Sequence, residues 1–394
     1  MPDGNEPITV KVVSRIGDVD AAEWDDCSTQ SAPDGNPSVG YAFLHALEES
    51  QSVRRESGWQ AQHLVVEDAT GRIAGAVPMY LKSHSMGEYV FDYGWANAYE
   101  RAGGKYYPKL QVSVPFAPVT GPRLLVRPNA AGAEATRAAL VAGMIEWTSR
   151  NDLSSLHVTF PTKEEADYLE RADFLIRHNH QYHWYNRGYE TFDDFLASLN
   201  SRKRKMIRRE RRKVVEAGVE MQCLSGDALK SEHWDAFYRF YTDTYDRKWG
   251  YPYLTREFFE IISETMANNV VLVLASRGGL PIAGALNLKG NDTLFGRNWG
   301  CIADYKFLHF ETCYYCAIEY AIHHGLARVE AGTQGPHKLQ RGYEPVQTRS
   351  AHWIPDPGFR EAVARFLTEE RREEAKEMGY LEHETPYRQN VRES

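Results

Sequence analysis

Two stretches of this chain, roughly two hundred residues apart, are near copies of one another. Residues 64–82 and 272–289 each read as an apolar strand, a turn with glycine, the sequence Ile-Ala-Gly-Ala, and a second strand that ends in Leu-Lys. Solenoid repeats have periods of about 20 to 50 residues, so a period this long indicates two copies of a whole domain. A chain of 394 residues is long enough for two domains with ordinary cores. The repeat therefore predicts two similar α/β halves.

The likeness between the copies extends beyond this hairpin. The further matching pairs are a third strand, a helix and a fourth strand, at residues 91–99 and 295–305, 131–150 and 308–324, and 155–160 and 327–331. Both copies then reach an aromatic strand with a central His-Trp pair, at residues 183–184 and 352–353. We therefore predict that the order strand, strand, strand, helix, strand, strand occurs twice. Gly75 and Gly284 lie within strands, where glycine is typical of a bulge or a close backbone approach.

Composition narrows the class of protein further. The sequence has no run of 18 apolar residues, which predicts no transmembrane helix. Its acidic start has no apolar signal core, so a cytoplasmic enzyme is expected. Five scattered cysteines do not suggest a disulfide framework. Cys313 and Cys316 have the spacing of a metal or redox motif, but they fall in a helical pattern and are expected to pack on a buried helix face. We predict no metal site.

The positive charge of the chain is concentrated in one segment. The net charge is -8, yet nine of the twelve residues from Arg202 to Lys213 are Lys or Arg, and Glu210 is the only acid among them. An apolar stripe at helical spacing predicts one long helix over residues 192–216. Like charges repel on a helix, so an anionic partner would relieve the charge, whereas the alternative is a solvated helix face. The helix dipole favours an anion at the start of the helix. The expected contacts are Arg202, Lys203, Arg204 and Arg208.

A polar segment with Glu, Gln, His, Lys and Arg follows the fourth strand of the second copy, and α/β folds commonly place sites in such segments. Glu330, at the strand end, could act as a base or orient a substrate. The cations that follow could stabilise an oxyanion or hold a phosphate. The alternative is an ordinary polar loop. We predict as catalytic Glu330, His337 and Lys338, and as substrate-binding Gln334, Arg341 and Tyr343.

A second candidate segment lies in the first copy. Residues 114–122 carry three prolines and cannot form a central strand. Phe116, Thr120 and Arg123 in and beside this segment could line a substrate channel, whereas the alternative is a rigid loop that covers the first domain. The first copy has no counterpart of the Glu330 segment, so the second domain is expected to be the catalytic half.

The order of elements in each copy resembles the GNAT acyltransferase fold. Two tandem copies with a basic helix before the second resemble the Fem-type aminoacyl transferases, and more closely the FemAB-like family of predicted N-acyltransferases. Three stretches carry this resemblance, at residues 107–125, 201–212 and 330–345. The resemblance implies acyl-CoA or aminoacyl-tRNA as co-substrate and no tightly bound cofactor. It also implies that the basic helix contacts an anionic substrate, as in Fem-type enzymes.

One departure from the GNAT pattern concerns the donor. GNAT acetyltransferases carry a Gln/Arg-x-x-Gly-x-Gly/Ala loop whose N–H groups hold the pyrophosphate of coenzyme A at a helix N-terminus. Neither residues 300–309 nor residues 117–121 fit this loop. Fem-type enzymes lack the loop because their donor is an aminoacyl-tRNA. Acetyl-CoA is therefore in doubt as the donor for this chain.

The sequence thus predicts an α/β fold of the α+β type, with two tandem GNAT-like acyltransferase domains and a basic helix between them. The expected divisions are domain one at 1–190, the helix at 191–217, domain two at 218–358 and a C-terminal helical appendage at 359–394. The oligomeric state is left open.

The predicted activity is the transfer of an acyl or aminoacyl group to an amine. The transfer is expected to be direct, because no Ser or Cys occupies a nucleophile elbow. The expected partner at the basic helix is a phosphorylated small molecule, CoA or tRNA. Two alternatives are a tRNA or nucleic-acid binding protein and a small-molecule binding protein, each on an inactive GNAT scaffold.

Overall fold

The computed structural model of the protein describes residues 9–32, 34–128, 132–247, 250–332 and 335–388. The chain divides into two compact units. Unit one combines Met1–Asn179 with Thr348–Ala375, and unit two combines His180–Gln347 with Lys376–Ser394. These divisions differ from the expected ones at 190, 217 and 358, since the basic helix lies within unit two. None of the helices in the described ranges is long and apolar enough to cross a membrane.

The first 179 residues supply most of unit one. Its elements are β1 (Thr9–Val13), α1 (Ala21–Ser31), α2 (Tyr41–Glu49), β2 (Trp59–Ala61), β3 (His63–Glu67), β4 (Ile73–Val77), β5 (Met79–Lys82), α3 (Tyr93–Arg101), β6 (Lys109–Val112), β7 (Leu125–Val126), α4 (Ala133–Arg150), β8 (Leu156–Thr159), α5 (Lys163–Arg171) and the first part of β9 (Leu175–Tyr185). Short 3-10 turns lie at Ile16–Asp18, Pro37–Val39 and Arg55–Ser57.

Unit two follows along the chain. Its elements are α6 (Phe192–Ser198), α7 (Ser201–Glu216), β10 (Val219–Leu224), α8 (Ser231–Arg247), α9 (Arg256–Thr265), β11 (Val270–Arg277), β12 (Leu280–Lys289), β13 (Thr293–Cys301), α10 (Leu308–Phe310), a π-helix (Glu311–Tyr315), α11 (Cys316–His323), β14 (Arg328–Glu330) and a 3-10 helix (Pro336–Arg341), with 3-10 turns at Gly226–Ala228 and Ala267–Asn269. The last two elements, each assigned partly to both units, are β15 (Glu344–Trp353) and α12 (Pro357–His383).

Unit one contains two sets of paired strands. An antiparallel sheet has the order β1-β3-β4-β7. A second set pairs in the order β15-β8-β6-β5-β2, and only β6 and β8 are parallel. Pro78 separates β4 from β5, because proline has no N–H to continue a ladder. Leu110 and Leu156 on one face of the second set join an apolar core with Leu140 and Met144 of α4.

The described strands of unit two form one mixed sheet, which resembles the second set of unit one in having a single parallel pair. The order is β10-β11-β12-β13-β14-β9, and all pairs are antiparallel except β13 with β14. Here β12 is unbroken, since Asn287 stands where the first copy has Pro78. Gly284 allows the predicted close approach, because a Cβ there would lie 3.0 Å from the ring of Phe237. The α/β fold with two GNAT-like units is therefore confirmed.

The first copy has a helix where a third strand was predicted. Residues 93–101 form α3, and β6 takes the equivalent place, because β6 and β13 each run parallel to the strand that follows the long helix. The aromatic side chains of Phe91, Trp95 and Tyr99 that suggested a strand are four residues apart, a spacing that suits one face of a helix. Tyr99 stacks on Phe359 with ring centroids 4.3 Å apart. The prediction of a strand at 91–99 was wrong.

The closing strands of the two copies are exchanged between the units. The strand that ends the first copy, β9, pairs through His183–Tyr185 with β14 inside unit two. The strand that ends the second copy, β15, pairs through Ser350–Trp353 with β8 inside unit one. This exchange explains why the division of the chain falls within both strands.

The predicted single helix over 192–216 is two helices. Leu199 has an extended backbone between α6 and α7, and the side chain of Asn200 accepts a hydrogen bond from the N–H of Lys203, which caps a new helix start. Ile207 and Val214 are buried as the apolar stripe predicted. The break gives α7 a separate, capped start beside its cluster of cations, and the backbone N–H of Asn200 donates to the carbonyl oxygen of Pro386.

Candidate active site in unit two

The parallel pair of strands in unit two separates soon after it forms. Thr293–Phe295 of β13 pair with Arg328–Glu330 of β14, and β13 then continues to Cys301 along β12 alone. A bulge at Leu286/Asn287 accompanies this divergence. Polar loops at the ends of such strands are common places for ligands. The segment that follows Glu330 carries the predicted catalytic residues.

Glu330 is buried at the end of β14 beside a histidine and an arginine. Its Oε1 lies 3.8 Å from Nδ1 of His183, its register partner on β9, and 3.3 Å from Nε of Arg328. Burial, together with the positive charges of Arg328 and Lys338, lowers the pKa of His183 to about 3. His183 is therefore neutral near pH 7, and Arg328 is the cation that balances Glu330.

Lys338 fixes the chain that leaves β14. It is 2% exposed, and its Nζ donates hydrogen bonds to the carbonyl oxygens of Ala331 at 2.6 Å and Gly332 at 3.0 Å. Burial lowers the pKa of Lys338 to about 8. The ammonium group is thus protonated at pH 7, and it places a positive charge beside the first two residues after β14.

His337 is the half-buried member of the group. Its Nε2 lies 2.9 Å from the hydroxyl of Tyr314, and its ring lies 5.5 Å from that of Phe310 and 6.2 Å from that of His309. Burial lowers the pKa of His337, and the cations of Arg341 and Lys338 lower it further. A neutral imidazole held by a tyrosine is suited to accept a proton.

The other residues predicted in this segment are buried. Arg341 is 4% exposed and forms a bidentate pair with Glu210, with Nη2 at 2.8 Å from Oε1 and at 3.0 Å from Oε2. Tyr343 is fully buried, with its ring 5.5 Å from that of Tyr314. Both residues therefore support the site from behind. Gln334 lies outside the described residues.

The start of α7 presents most of the predicted anion contacts. Arg202 and Arg208 are exposed, and Lys203 and Arg204 are partly buried. Arg208 forms an exposed ion pair with Asp193 at 2.8 Å. Within the described ranges the other three side chains form no ion pair. Burial and then the charge of Arg202 lower the pKa of Lys203, while the carboxylate of Glu384 opposes this shift and Arg341 adds to it.

The proline-rich segment of unit one is held by Arg123. This side chain is fully buried and donates to four carbonyl oxygens, those of Val119, Gly121, Pro122 and Thr159 at 2.6 to 3.1 Å. The geometry matches the rigid-loop alternative. The other two predicted residues are also set into the loop: Phe116 is 3% exposed and packs on Trp59, and the Thr120 hydroxyl is buried.

Sequence reasoning missed a buried polar network in unit one. His157 occupies the place in β8 that Glu330 occupies in β14, since each is the register partner of the histidine in a His-Trp pair. Its Nδ1 lies 2.6 Å from Nδ1 of His352, and burial lowers the pKa of His157 to about 3. Nearby, Nζ of Lys109 donates to Glu88 at 2.7 Å and to Asp92. The available sign of this network was the alternation of polar residues along β6, β8 and β15. Such alternation is also typical of a sheet with one face in solvent, so it did not indicate a buried network.

Fold and site together define an acyltransferase built from two tandem GNAT-like units. The chain belongs to the FemAB-like family, described by peptidoglycan biosynthesis/recognition, whose model matches residues 15–389. No curated protein matches the chain in sequence.

Solved structures show the same fold at low identity. The chain is similar to FemX, with 11% identity, 88% of this chain and 98% of that chain covered, and a TM-score of 0.53. It is equally similar to a conserved protein of unknown function from Bacteroides thetaiotaomicron, with 11% identity, the same coverage and a TM-score of 0.52. A tandem GNAT protein from the clavulanic acid biosynthesis pathway aligns with 13% identity over 89% of this chain and 99% of that chain, with a TM-score of 0.48.

Proposed function

We propose that unit two transfers an acyl or aminoacyl group directly from an activated ester or thioester to an amine of a peptidoglycan precursor. The observation that carries this proposal is the polar segment that follows β14 where β13 and β14 stop pairing: Glu330 ends the strand, and Lys338 binds the carbonyl oxygens of Ala331 and Gly332 directly after it. His337 is the neighbour of Lys338 in sequence and is half-buried. The description of the family supports the choice of acceptor.

Each of these residues has a role in the proposed reaction. His337, which is neutral near pH 7, takes the proton of the attacking amine as the new C–N bond forms. Lys338, which is protonated, stabilises the negative charge that develops on the carbonyl oxygen. Glu330, balanced by Arg328, orients the amine before attack. The tetrahedral intermediate then collapses as the bond between the carbonyl carbon and the donor breaks, and the donor leaves as a thiolate or as a ribose hydroxyl that takes the proton from His337.

The basic helix is the proposed contact for the anionic part of a substrate. Arg202, Lys203 and Arg204 crowd the first turn of α7 without an ion pair in the described part of the chain, and the helix dipole adds to their charge. CoA, the tRNA backbone and a nucleotide-linked acceptor all carry the phosphates that these cations would bind. A cytoplasmic location remains part of the proposal.

The test is mass spectrometry of the purified protein with a pool of acyl-CoA thioesters and a pool of charged tRNA, each with an amine acceptor from peptidoglycan precursors. We expect consumption of one pool, and loss of that turnover in His337→Ala. The matched control is His323→Ala, because His323 is exposed at the end of α11. Consumption of neither pool would refute the proposal. Binding of uncharged tRNA without turnover would favour the nucleic-acid binding alternative.

A further inference from the structure

The only acid among residues 202–213, the basic run of α7, is buried in the apolar stripe of the helix. Glu210 is 5% exposed, on the same face of α7 as Ile207 and Val214. A buried carboxylate is costly unless its oxygens are paired, and both oxygens of Glu210 accept hydrogen bonds. Arg341 donates through Nη2 and Nε, and the hydroxyl of Tyr315 donates to Oε2. Because its carboxylate is buried and fully paired, Glu210 does not serve to keep the helix soluble.

Arg341 connects Glu210 with the candidate catalytic segment. Its guanidinium lies 3.5 Å from the ring of Phe310, and its Nη1 donates a hydrogen bond to the backbone carbonyl of His337 at 2.8 Å. The planar group thus spans from the side chain of Glu210 to the main chain of His337. An arginine bound on two sides and stacked on a ring has little freedom to move.

A second connection runs through the π-helix. Tyr314 and Tyr315 are adjacent in the π-helical segment Glu311–Tyr315, and their hydroxyl groups contact different residues. Tyr315 donates to Glu210, and Tyr314 meets Nε2 of His337. The main chain of His337 is therefore bound by Arg341, which is itself bound by Glu210. The imidazole of His337 contacts Tyr314, the neighbour in sequence of Tyr315, which donates to Glu210.

We infer that Glu210 is a positioning residue, which sets the place and orientation of His337 through Arg341. The inference rests on the proposed function, because it gives the anion-binding helix a direct connection to the proposed base. Glu210 itself is buried and contacts no substrate. In this inference Glu210 and Arg341 connect α7, the proposed anion-binding helix, with the proposed catalytic segment that contains His337.

The test is Glu210→Gln, which keeps the shape and an acceptor oxygen and removes the charge. The matched control is Glu216→Gln on the same helix, where the carboxylate is exposed and pairs with Arg212 and Lys213. The first measurement is an NMR pH titration of the His337 ring, assigned by comparison with His337→Ala. We expect the His337 pKa to fall in Glu210→Gln, because the charge of Arg341 is no longer balanced, and to stay unchanged in the control.

The second measurement is the steady-state kinetics of the active donor and acceptor pair. We expect kcat to fall by about tenfold or more in Glu210→Gln with the KM of the donor unchanged, since small displacements of a reacting group are costly. Arg341→Lys, which keeps the charge but cannot span both partners, should lower kcat in the same way. Circular dichroism and thermal unfolding establish that each variant is folded.

The outcomes separate the inference from the proposed function. An unchanged His337 titration or an unchanged kcat in folded Glu210→Gln, with an active wild-type protein, overturns the positioning role. Equal effects in Glu216→Gln overturn it as well, because the network would then be irrelevant. Absence of turnover in the wild-type protein refutes the proposed function whatever the titration shows.

Discussion

Replacement of Lys338 by methionine tests whether the buried ammonium group lowers the free energy of unfolding while its hydrogen bonds fix the backbone of the candidate site. Burial lowers the pKa of Lys338 from its ordinary value of 10.5 to about 8, a shift that corresponds to about 3 kcal/mol of lost stability while the group is charged. The two hydrogen bonds to Ala331 and Gly332 oppose this cost, at about 1.5 to 3 kcal/mol each for a charged donor.

These opposing terms nearly cancel. Methionine has a similar length and needs no solvation of a charge, but it leaves two carbonyl oxygens without their donor. We therefore expect Lys338→Met to lower the free energy of unfolding at pH 7 by only about 1 to 3 kcal/mol. Turnover should be lost in the same variant, because the proposed oxyanion would have no cation. Guanidinium chloride unfolding and the donor-consumption assay measure the two effects.

The dependence on pH has a definite sign. The folded-state pKa of Lys338 is lower than the unfolded-state pKa, so the cost is present in full below pH 8. Between about pH 8 and 10.5 the unfolded chain binds more protons than the folded one, and the stability of the wild-type protein rises relative to that of Lys338→Met. The expected rise over this window is at most about 3 kcal/mol. A constant difference between the two proteins from pH 7 to 10 would refute the reasoning.

Three further predictions concern other parts of the chain. Arg123→Ala should lower the unfolding free energy by about 3 to 5 kcal/mol in guanidinium titrations, since four buried carbonyl oxygens lose a donor; a loss below about 1 kcal/mol would contradict this. Gly300→Ala should cost about 2 to 3 kcal/mol, because its Cβ would lie 2.4 Å from the backbone of Phe240. Its control, Gly379→Ala, meets nothing within 4 Å in a helix and should raise the melting temperature slightly. Arg202→Gln should reduce the salt dependence of tRNA or CoA binding by about one charge, and an unchanged slope would exclude this contact.

The repeat predicted the architecture well, because matched strands leave a matched sequence pattern. It failed at residues 91–99, where Phe91, Trp95 and Tyr99 suit a strand or a helix equally until their packing is known. A helix there could have been suspected from the spacing of four residues between the aromatics.

The catalytic roles of Glu330, His337 and Lys338 stay predictions, and the sequence was a poor guide to burial in this segment. Lys338 and Arg341 are both buried, and Arg341 is the partner of Glu210, 131 residues earlier in the chain. No local sequence pattern predicts that Arg341 pairs with a residue so far away in the chain. Glu210 itself was visible in the sequence as the only acid between Arg202 and Lys213, and its spacing places it with the apolar residues Ile207 and Val214 of α7.

The exchange of closing strands between the two units has a consequence for how this protein can be dissected. A fragment that ends near residue 190 keeps β9 but lacks β15, so its β8 would expose an unpaired edge. The remaining fragment would lack β9 beside β14 in the same way. A fragment that keeps the strand pairing of one unit must therefore join two separate stretches of the sequence, and a cut at the boundary of the repeat removes one strand from each sheet.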